Sequence, residues 1–351
     1  MIVFGIETSC DETAAAVVKD GHELLSNVVA TSIDLHTAYG GVVPEIAARS
    51  HIESILPVIE EAVSVVGWDK IDAIAVTYGA GLGGSLLVGV MTARTLAIIK
   101  NKPLYAVNHV HGHVAANFLT KTELPGYTLP SQQPEFPMLS LIVSGGHTQL
   151  VYFRSMFDYE ILGKKRDDAI GEAFDKVAKI IGLPYPGGPS IAKAADKGNP
   201  YKYKLPKAKL DNPYEFSFSG LKTAVLRLAQ DEIGENFTFP SFRLPERLSE
   251  AQKHDIAASF QRVAVETVVD KTIQAFETYQ PKSVVIAGGV AASQELRRQL
   301  AERLPAPPSY TDIKLCTDNG AMIATLGCMM ADAGLPPSDP NSLDINPSLS
   351  M

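Results

Sequence analysis

The order of elements in this chain is written twice, and that repetition limits the folds open to it more than any single motif does. Residues 2–6 are apolar and β-branched, 7–13 are polar, and 14–18 are apolar again, which spells a strand, a turn and a second strand. A helical pattern runs from Pro44, with Ile46, Ile52, Ile55, Leu56, Ile59 and Val63 spaced mostly by three and four. Then come a strand at 73–77, a glycine-rich turn at 79–85, a helix from about 86 to 100, and a short strand at 104–107 that leads into a cluster of histidines. After a proline-rich break at 124–137 the order returns: strand 138–143, turn 144–148, strand 149–153. Far downstream follow strand 283–287, glycine turn 288–293, helix 294–304, and a strand at 314–317 before Asp318 and a helix from Gly320 to about Ala333. Such a duplication predicts two similar α/β lobes, residues 1–130 and 131–334, facing each other across a cleft. The second lobe carries an insertion at about 154–260, and a Pro-, Ser- and Asn-rich stretch at 335–351 reads as a flexible tail.

With 46% apolar and 20% charged residues in 351 positions, the chain can build a core in each lobe. No apolar run approaches the roughly 20 residues of a membrane span, and the first residues enter a strand directly. The expectation is a cytoplasmic protein without a membrane partner. The three cysteines, Cys10, Cys316 and Cys328, are too few and too widely spaced for a disulfide framework. A net charge of -8 excludes attraction of nucleic acid by the overall field, so for an RNA partner a local patch or another subunit must supply the positive charge. Two stretches offer such a patch: Lys164-Lys165-Arg166, and the alternating tyrosines and lysines from Tyr201 to Lys209. Such interleaving suits stacking plus phosphate contact; a solvated charged loop is the competing reading.

The histidines stand in Asn108-His109-Val110-His111-Gly112-His113. On a helix His109 and His113 are four apart and share a face, while His111 points elsewhere. Asp318 occupies the matching place in the second half, after a strand and before a helix, and is the third ligand expected. Two imidazoles and a carboxylate suit iron(II) or zinc and leave coordination positions open. A zinc-protease helix needs a Glu after its first His as general base; here that residue is Val110. The turns Ser144-Gly145-Gly146 and Gly288-Gly289 expose backbone N–H groups as phosphate or adenylate binding requires. Asp175, on the helix expected before Gly182, can accept from a ribose, with a solvated helix face as the bland alternative. Asp11, in the first turn, is a candidate to handle a metal, water or amine, or a simple exposed turn carboxylate.

Taken together, Gly5-Ile6-Glu7-Thr8-Ser9-Cys10-Asp11-Glu12-Thr13, Gly40-Gly41-Val42-Val43-Pro44-Glu45, the 108–113 stretch, Val143-Ser144-Gly145-Gly146-His147-Thr148, Phe216-Ser217-Phe218-Ser219-Gly220-Leu221-Lys222-Thr223 and Thr317-Asp318-Asn319-Gly320-Ala321-Met322 resemble the TsaD family, formerly called O-sialoglycoprotein endopeptidase. The colinear match runs from residue 2 to about 330. The resemblance implies an actin-like, Hsp70-like ATPase (ASKHA) fold of two RNase H-like lobes. It also implies transfer of the threonylcarbamoyl group from threonylcarbamoyl-AMP to N6 of the adenosine 3′ of the anticodon in tRNAs reading ANN codons, with AMP released. It maps metal ligands onto His109, His113 and Asp318, with Fe2+ expected and Zn2+ the alternative. Substrate contacts map onto Ile142, Val143, Ser144, Gly145, Gly146, Asp175, Gly188 and Ser293, and Asp11 stands as the candidate catalytic group. Two positions depart from the family pattern: Ser293 where many members have Asn, and Ala192 where many have Asp. Implied partners are tRNA, a TsaB-like paralogous subunit and a TsaE-like ATPase. A small-molecule kinase or ATPase of the same superfold is the competing function, although such an enzyme has no need of a His-His-Asp centre.

Overall fold

The computed structural model describes residues 1–351, and the chain divides into two units: Met1–Pro134 together with Ser309–Met351, and Glu135–Pro308. In the first unit β1 (Ile2–Glu7), β2 (Glu12–Lys19) and β3 (Glu23–Thr31) form an antiparallel meander. Helices α1 (Ile33–Thr37) and α2 (Pro44–Ser64) follow, then β4 (Ala73–Gly79), α3 (Gly83–Lys100), β5 (Leu104–Asn108), α4 (His109–Ala115) and the edge strand β6 (Lys121–Thr122). The sheet order is β5-β4-β1-β2-β3-β6, with β1, β4 and β5 parallel. β1 is a continuous apolar run because it sits in the middle of this sheet, where both of its faces are covered.

In the second unit β7 (Met138–Val143), β8 (Thr148–Ser155) and β9 (Asp158–Lys164) repeat the meander. The chain then builds α5 (Ile170–Ile181), α6 (Gly187–Ala195), α7 (Ser219–Glu232), α8 (Leu244–Arg247) and the long α9 (Glu250–Tyr279). It returns to the sheet as β10 (Ser283–Ala287), parallel to β7, and continues through α10 (Gln294–Arg303) to β11 (Ser309–Tyr310) and α11 (Gly320–Asp332). The order β11-β10-β7-β8-β9 reproduces β5-β4-β1-β2-β3 strand for strand, so the duplication visible in the sequence is a duplication of topology.

The boundaries differ from those expected. Residues 309–351 belong with the first unit, because α11 lies directly on β1, β2 and β4. Small residues allow that approach: a Cβ on Gly5 would stand 2.5 Å from Ala324 N, and one on Gly320 2.5 Å from Ala16 N. The strand expected at 314–317 is instead a 3₁₀ turn, Ile313–Leu315, opened by Asp312, whose carboxylate accepts from Lys314 N. The stretch 335–351, expected to be a loose tail, lies along the first unit. Ser338 N donates to Leu104 O at 2.7 Å, and Asn346 N donates to Tyr78 O at 2.7 Å. Arg94 on α3 fixes the same stretch by donating to the carbonyls of Pro340, Asn341 and Leu343 at 2.6, 2.6 and 3.1 Å. α3 is long and apolar enough to cross a membrane by length and composition, yet its Val90, Ala93 and Ala97 belong to the core formed with Ile74 and Val76 of β4.

Candidate metal centre

Asn108 ends β5 and caps the next helix: its Oδ1 accepts from Val110 N at 2.9 Å and His111 N at 3.2 Å. The cap sets the phase of α4, so His109 and His113 project from one face, their ring centroids 4.8 Å apart and their planes at 79°. Gly112 brings this short helix against α11, since a Cβ there would lie 3.0 Å from Ile323 Cδ1. The start of α11 is equally prepared. Asn319, fully buried, caps it through Met322 N and ties back to the carbonyls of Leu315 and Thr317. Asp318 is thereby held over the two histidines.

Its Oδ1 lies 3.2 Å from His113 Nε2 and 3.5 Å from His109 Nε2, and the three donor atoms fall within 4.8 Å of one another. Donors about 2.0–2.2 Å from a shared ion stand about 3–3.5 Å apart, so the spacing suits a metal. Two further observations fit an ion. His113 is buried and neither ring nitrogen makes a hydrogen bond; Nε2 faces only the Asp318 carboxylate, and an ion there would satisfy it. Negative charge is also in excess here. Burial pushes the Glu12 carboxyl up, and the charges of Asp318 and Asp11 push it further, to about 10. A divalent cation would offset that repulsion.

The ring of His109 is oriented from behind. Its Nδ1 lies 3.1 Å from Glu7 Oε2 and 3.0 Å from Ser9 Oγ, which leaves Nε2 to face Asp318. Glu7 is fully buried and also accepts from Thr77 Oγ1 and Ser9 N. Burial alone would lower the His109 imidazolium and raise the Glu7 carboxyl. The charges of Asp318 and Glu7 outweigh it at His109, lifting it to about 9, and His109 holds Glu7 below its ordinary value. Binding an ion at Nε2 therefore displaces a proton. A carboxylate behind a ligating histidine is a common outer support of metal sites. Sequence reasoning passed over Glu7 and Glu12; the signal available was their place in a polar break between two apolar strands.

Asp11 is not an exposed turn carboxylate. It is buried at the β1–β2 turn beside Cys10 and Glu12, and its backbone carbonyl accepts from Ser32 N and Ser32 Oγ.

The other expected site residues lie in the second unit. Ile142 and Val143 are fully buried at the end of β7, and the Ser144–Gly146 turn follows, closed by Ser144 N donating to His147 O at 2.8 Å. Nothing stands within 4 Å of where a Cβ on Gly145 or Gly146 would be, so the turn is open. Two elements abut it: Gly171 at the start of α5, whose Cβ would lie 2.6 Å from Ser144 O, and Gly288, at φ 89°, whose Cβ would lie 2.5 Å from Val143 O. Asp175 on α5 accepts from Gly187 N at 2.7 Å, just before Gly188, and burial raises its carboxyl. Ser293 caps α10, accepting from Leu296 N at 3.4 Å. Ala192 is in α6, five positions after Gly187, which donates to Asp175.

The basic clusters are less free than the sequence suggested. Lys202 pairs with Asp255 at 2.7 Å, and Lys207 with Glu266 and Asp270 at 3.0 and 2.7 Å. Lys165 pairs with Glu172 at 3.8 Å, and Arg166 with Glu215.

The sequence model of the TsaD family, described as tRNA N6-adenosine threonylcarbamoyltransferase, matches residues 23–325. A protein of that description from Thermomicrobium roseum is 49% identical over 344 residues, covering 95% of this chain and 93% of its own. Another from Dehalococcoides mccartyi is 47% identical over 353 residues, covering 100% and 99%. Among solved structures, HypF from T. kodakarensis aligns with a TM-score of 0.59 at 14% identity, over 96% of this chain and 48% of its own. Component A of (R)-2-hydroxyglutaryl-CoA dehydratase from Acidaminococcus fermentans aligns with a TM-score of 0.50 at 16% identity, over 95% and 99%. At these identities the structural likenesses bear on the fold alone, an actin-like, Hsp70-like ATPase fold.

Proposed function

The chain belongs to the TsaD family and is a tRNA N6-adenosine threonylcarbamoyltransferase, and from that premise we propose which of its residues perform the reaction and with what help. The donor we propose is threonylcarbamoyl-AMP, and the acceptor is the adenosine 3′ of the anticodon in tRNAs reading ANN codons. The N6 nitrogen attacks the carbamoyl carbon, a C–N bond forms, the C–O bond to the phosphate breaks, and AMP leaves with the electron pair while N6 gives up a proton.

The donor is a mixed anhydride, already activated, so the protein's work is placement and charge stabilisation. His109, His113 and Asp318 would hold one divalent ion, iron(II) in our reading with zinc as the alternative. The bound ion supplies Lewis acidity toward an oxygen of the donor. The paired observation that carries this reading is that Asp318 Oδ1 stands 3.2 and 3.5 Å from the two imidazole Nε2 atoms, together with the lack of any hydrogen bond at the buried ring of His113.

The adenylate we assign to the backbone of Ile142 through Gly146, with Asp175, Gly188 and Ser293. An open glycine turn against the N-terminus of α5 offers unshielded N–H groups and the positive end of a helix to a phosphate. Ile142 and Val143 are buried, so their part would be through main-chain atoms. Ser293 already caps α10, and Ala192 has no polar atom, so the adenylate would be gripped by fewer side chains than in members with Asn and Asp there. Asp11 is our candidate to accept the N6 proton; its support is its place beside Glu12 in an acid cluster whose other members, Glu7 and Asp318, face histidines.

A TsaB-like paralogous subunit and a TsaE-like ATPase are the protein partners proposed, in the cytoplasm where tRNA is modified. The packed pair α2 and α3 leaves Ile52 and Leu56, and Leu87, Met91 and Ile98, exposed at helical spacing, an apolar face of the kind that a partner covers.

The test is a single-turnover assay of the purified protein with threonylcarbamoyl-AMP and unmodified tRNA, with and without those partners, read by nucleoside mass spectrometry. Threonylcarbamoyladenosine that forms with the wild type and vanishes, together with bound metal, in His113→Ala supports the assignment. Full activity of His113→Ala without metal would end it, and activity restored by iron(II) but not zinc, or the reverse, identifies the ion.

A further inference from the structure

The tyrosine–lysine run and the 164–166 cluster were the sequence's offer for gripping RNA, and Lys165, Arg166, Lys202 and Lys207 among them are engaged by acids. A different stretch of the second unit has the missing properties. Between α7 and α9, Phe237 is 70% exposed and Phe242 76% exposed, although burying such a ring is normally worth about 1.5–3 kcal/mol. Arginines accompany these rings: Arg227 lies 5.5 Å from the Phe237 centroid, Arg243 5.8 Å from Phe242, and Arg247 5.8 Å from Phe239. The guanidinium of Arg227 donates to Gln230 Oε1 and Phe237 O, neither of them charged. Arg247 has one loose ion pair, 3.7 Å from Glu235.

We infer that this Phe–Arg surface, residues 227–247, is a stacking platform for a single-stranded stretch of the tRNA substrate. The inference rests on the transferase reading for the identity of the nucleic acid. Exposed rings with arginines at their faces are what unstacked bases and adjacent phosphates need, and stacking of this sort is tolerant of sequence. A protein partner is the competing occupant, since aromatic and arginine side chains also anchor protein interfaces. RNA is favoured because the rings are exposed with guanidiniums at their faces, the arrangement that base stacking uses, while the other aromatic–basic run has Lys202 and Lys207 ion-paired. The acids Asp231, Glu232, Glu235 and Glu246 keep the segment from being a strong positive patch. Binding there is therefore carried by stacking more than by counterion release, and that difference is measurable.

The experiment is a titration of labelled unmodified tRNA with the full chain at several salt concentrations. The variants are Phe237→Ala/Phe242→Ala, Phe237→Trp/Phe242→Trp and Arg243→Ala. The double alanine variant should bind tRNA about 5- to 100-fold more weakly per ring lost, with an unchanged slope of log affinity against log salt. Its KM for tRNA should rise while single-turnover transfer at saturating tRNA stays near that of the wild type. The tryptophan variant should retain binding, and Arg243→Ala should reduce the salt slope by about 1. Unfolding temperature serves as the folding control, and exposed rings should leave it unchanged. Wild-type affinity in the double alanine variant overturns the proposal, as does a variant that keeps tRNA but loses association with a protein partner. A wild type that binds no tRNA even with the proposed partners added would instead remove the tRNA-binding reading on which the proposal stands.

Discussion

Replacing Glu7 with Gln tests the metal centre without touching a ligand. Glu7 is fully buried; its Oε1 accepts from Ser9 N, and its Oε2 accepts from Thr77 Oγ1 and faces His109 Nδ1 at 3.1 Å. A carboxamide has the same shape but turns one of those oxygens into a donor. If the NH2 takes the Oε2 place it meets the N–H of His109, and the ring loses the partner that fixes its tautomer. If it takes the Oε1 place it meets Ser9 N–H instead. Either choice sets two donors face to face in a dry site, a cost of about 1–3 kcal/mol to folding. Loss of an outer partner of a ligating histidine typically lowers metal affinity about 10- to 100-fold. That factor is about 1.4–2.8 kcal/mol of binding free energy. The two costs separate experimentally. Metal-free protein is titrated with iron(II) or zinc against a chromogenic chelator, and thermal melts are recorded with and without metal. Thr77→Val is the control: it removes a partner of Glu7 but leaves His109 alone, so it should lower the melting temperature with a much smaller change in metal affinity. A Glu7→Gln protein that binds metal as the wild type does, while His113→Ala does not, would refute the role given to Glu7.

Arg94→Ala removes the three carbonyl contacts to residues 340–343 and should lower stability by about 1–3 kcal/mol. Limited proteolysis should then cut first within 335–351, and wild-type resistance there would show that other contacts hold the stretch. Gly320→Ala drives a methyl to 2.5 Å from the backbone of β2, so urea melts should show a loss of at least about 1–3 kcal/mol; a neutral result would mean that α11 shifts freely on the sheet. Asp167 accepts from Ser217 Oγ, Ser219 Oγ and the N–H groups of Phe218 and Ser219; burial works to raise its carboxyl, and these donors hold it below the usual range. A carboxyl lowered in the folded state stabilises above its unfolded value of about 4, and that contribution fades as pH falls through the folded value. Asp167→Asn should therefore be less stable than wild type at pH 7, with the gap narrowing below about pH 4; a gap independent of pH would refute the assignment.

The order of elements and its repetition could be read from the sequence because strands alternate with turns at recognisable residues, and the second copy corroborated the first. His109 and His113 were legible for the same reason: a cap residue and a four-residue spacing fix their face locally. The division at 130 and the loose tail were not, because what binds 309–351 to the first unit is non-local. Gly5, Gly320 and Ala324 matter through their lack of side-chain volume, which no periodicity reports. Glu7 looked like an ordinary turn residue because its partners, Thr77 and His109, are 70 and 102 positions away. Lys202 and Lys207 looked free because the acids that engage them, Asp255, Glu266 and Asp270, lie on α9.

The return of residues 309–351 to the first unit also sets an order of events during synthesis. His113 leaves the ribosome with most of its unit, yet Asp318 and the helix that covers β1 follow 205 positions later (318 − 113), after the whole of Glu135–Pro308. At about 5–20 residues per second that interval is about 10–40 s. Throughout it the first sheet, already packed by α2 and α3, lacks α11, and the histidines lack their carboxylate, whereas the second unit is contiguous and can fold as it emerges. A nascent or prematurely ended chain thus cannot assemble this three-donor cluster, which is complete only in chains translated beyond residue 318.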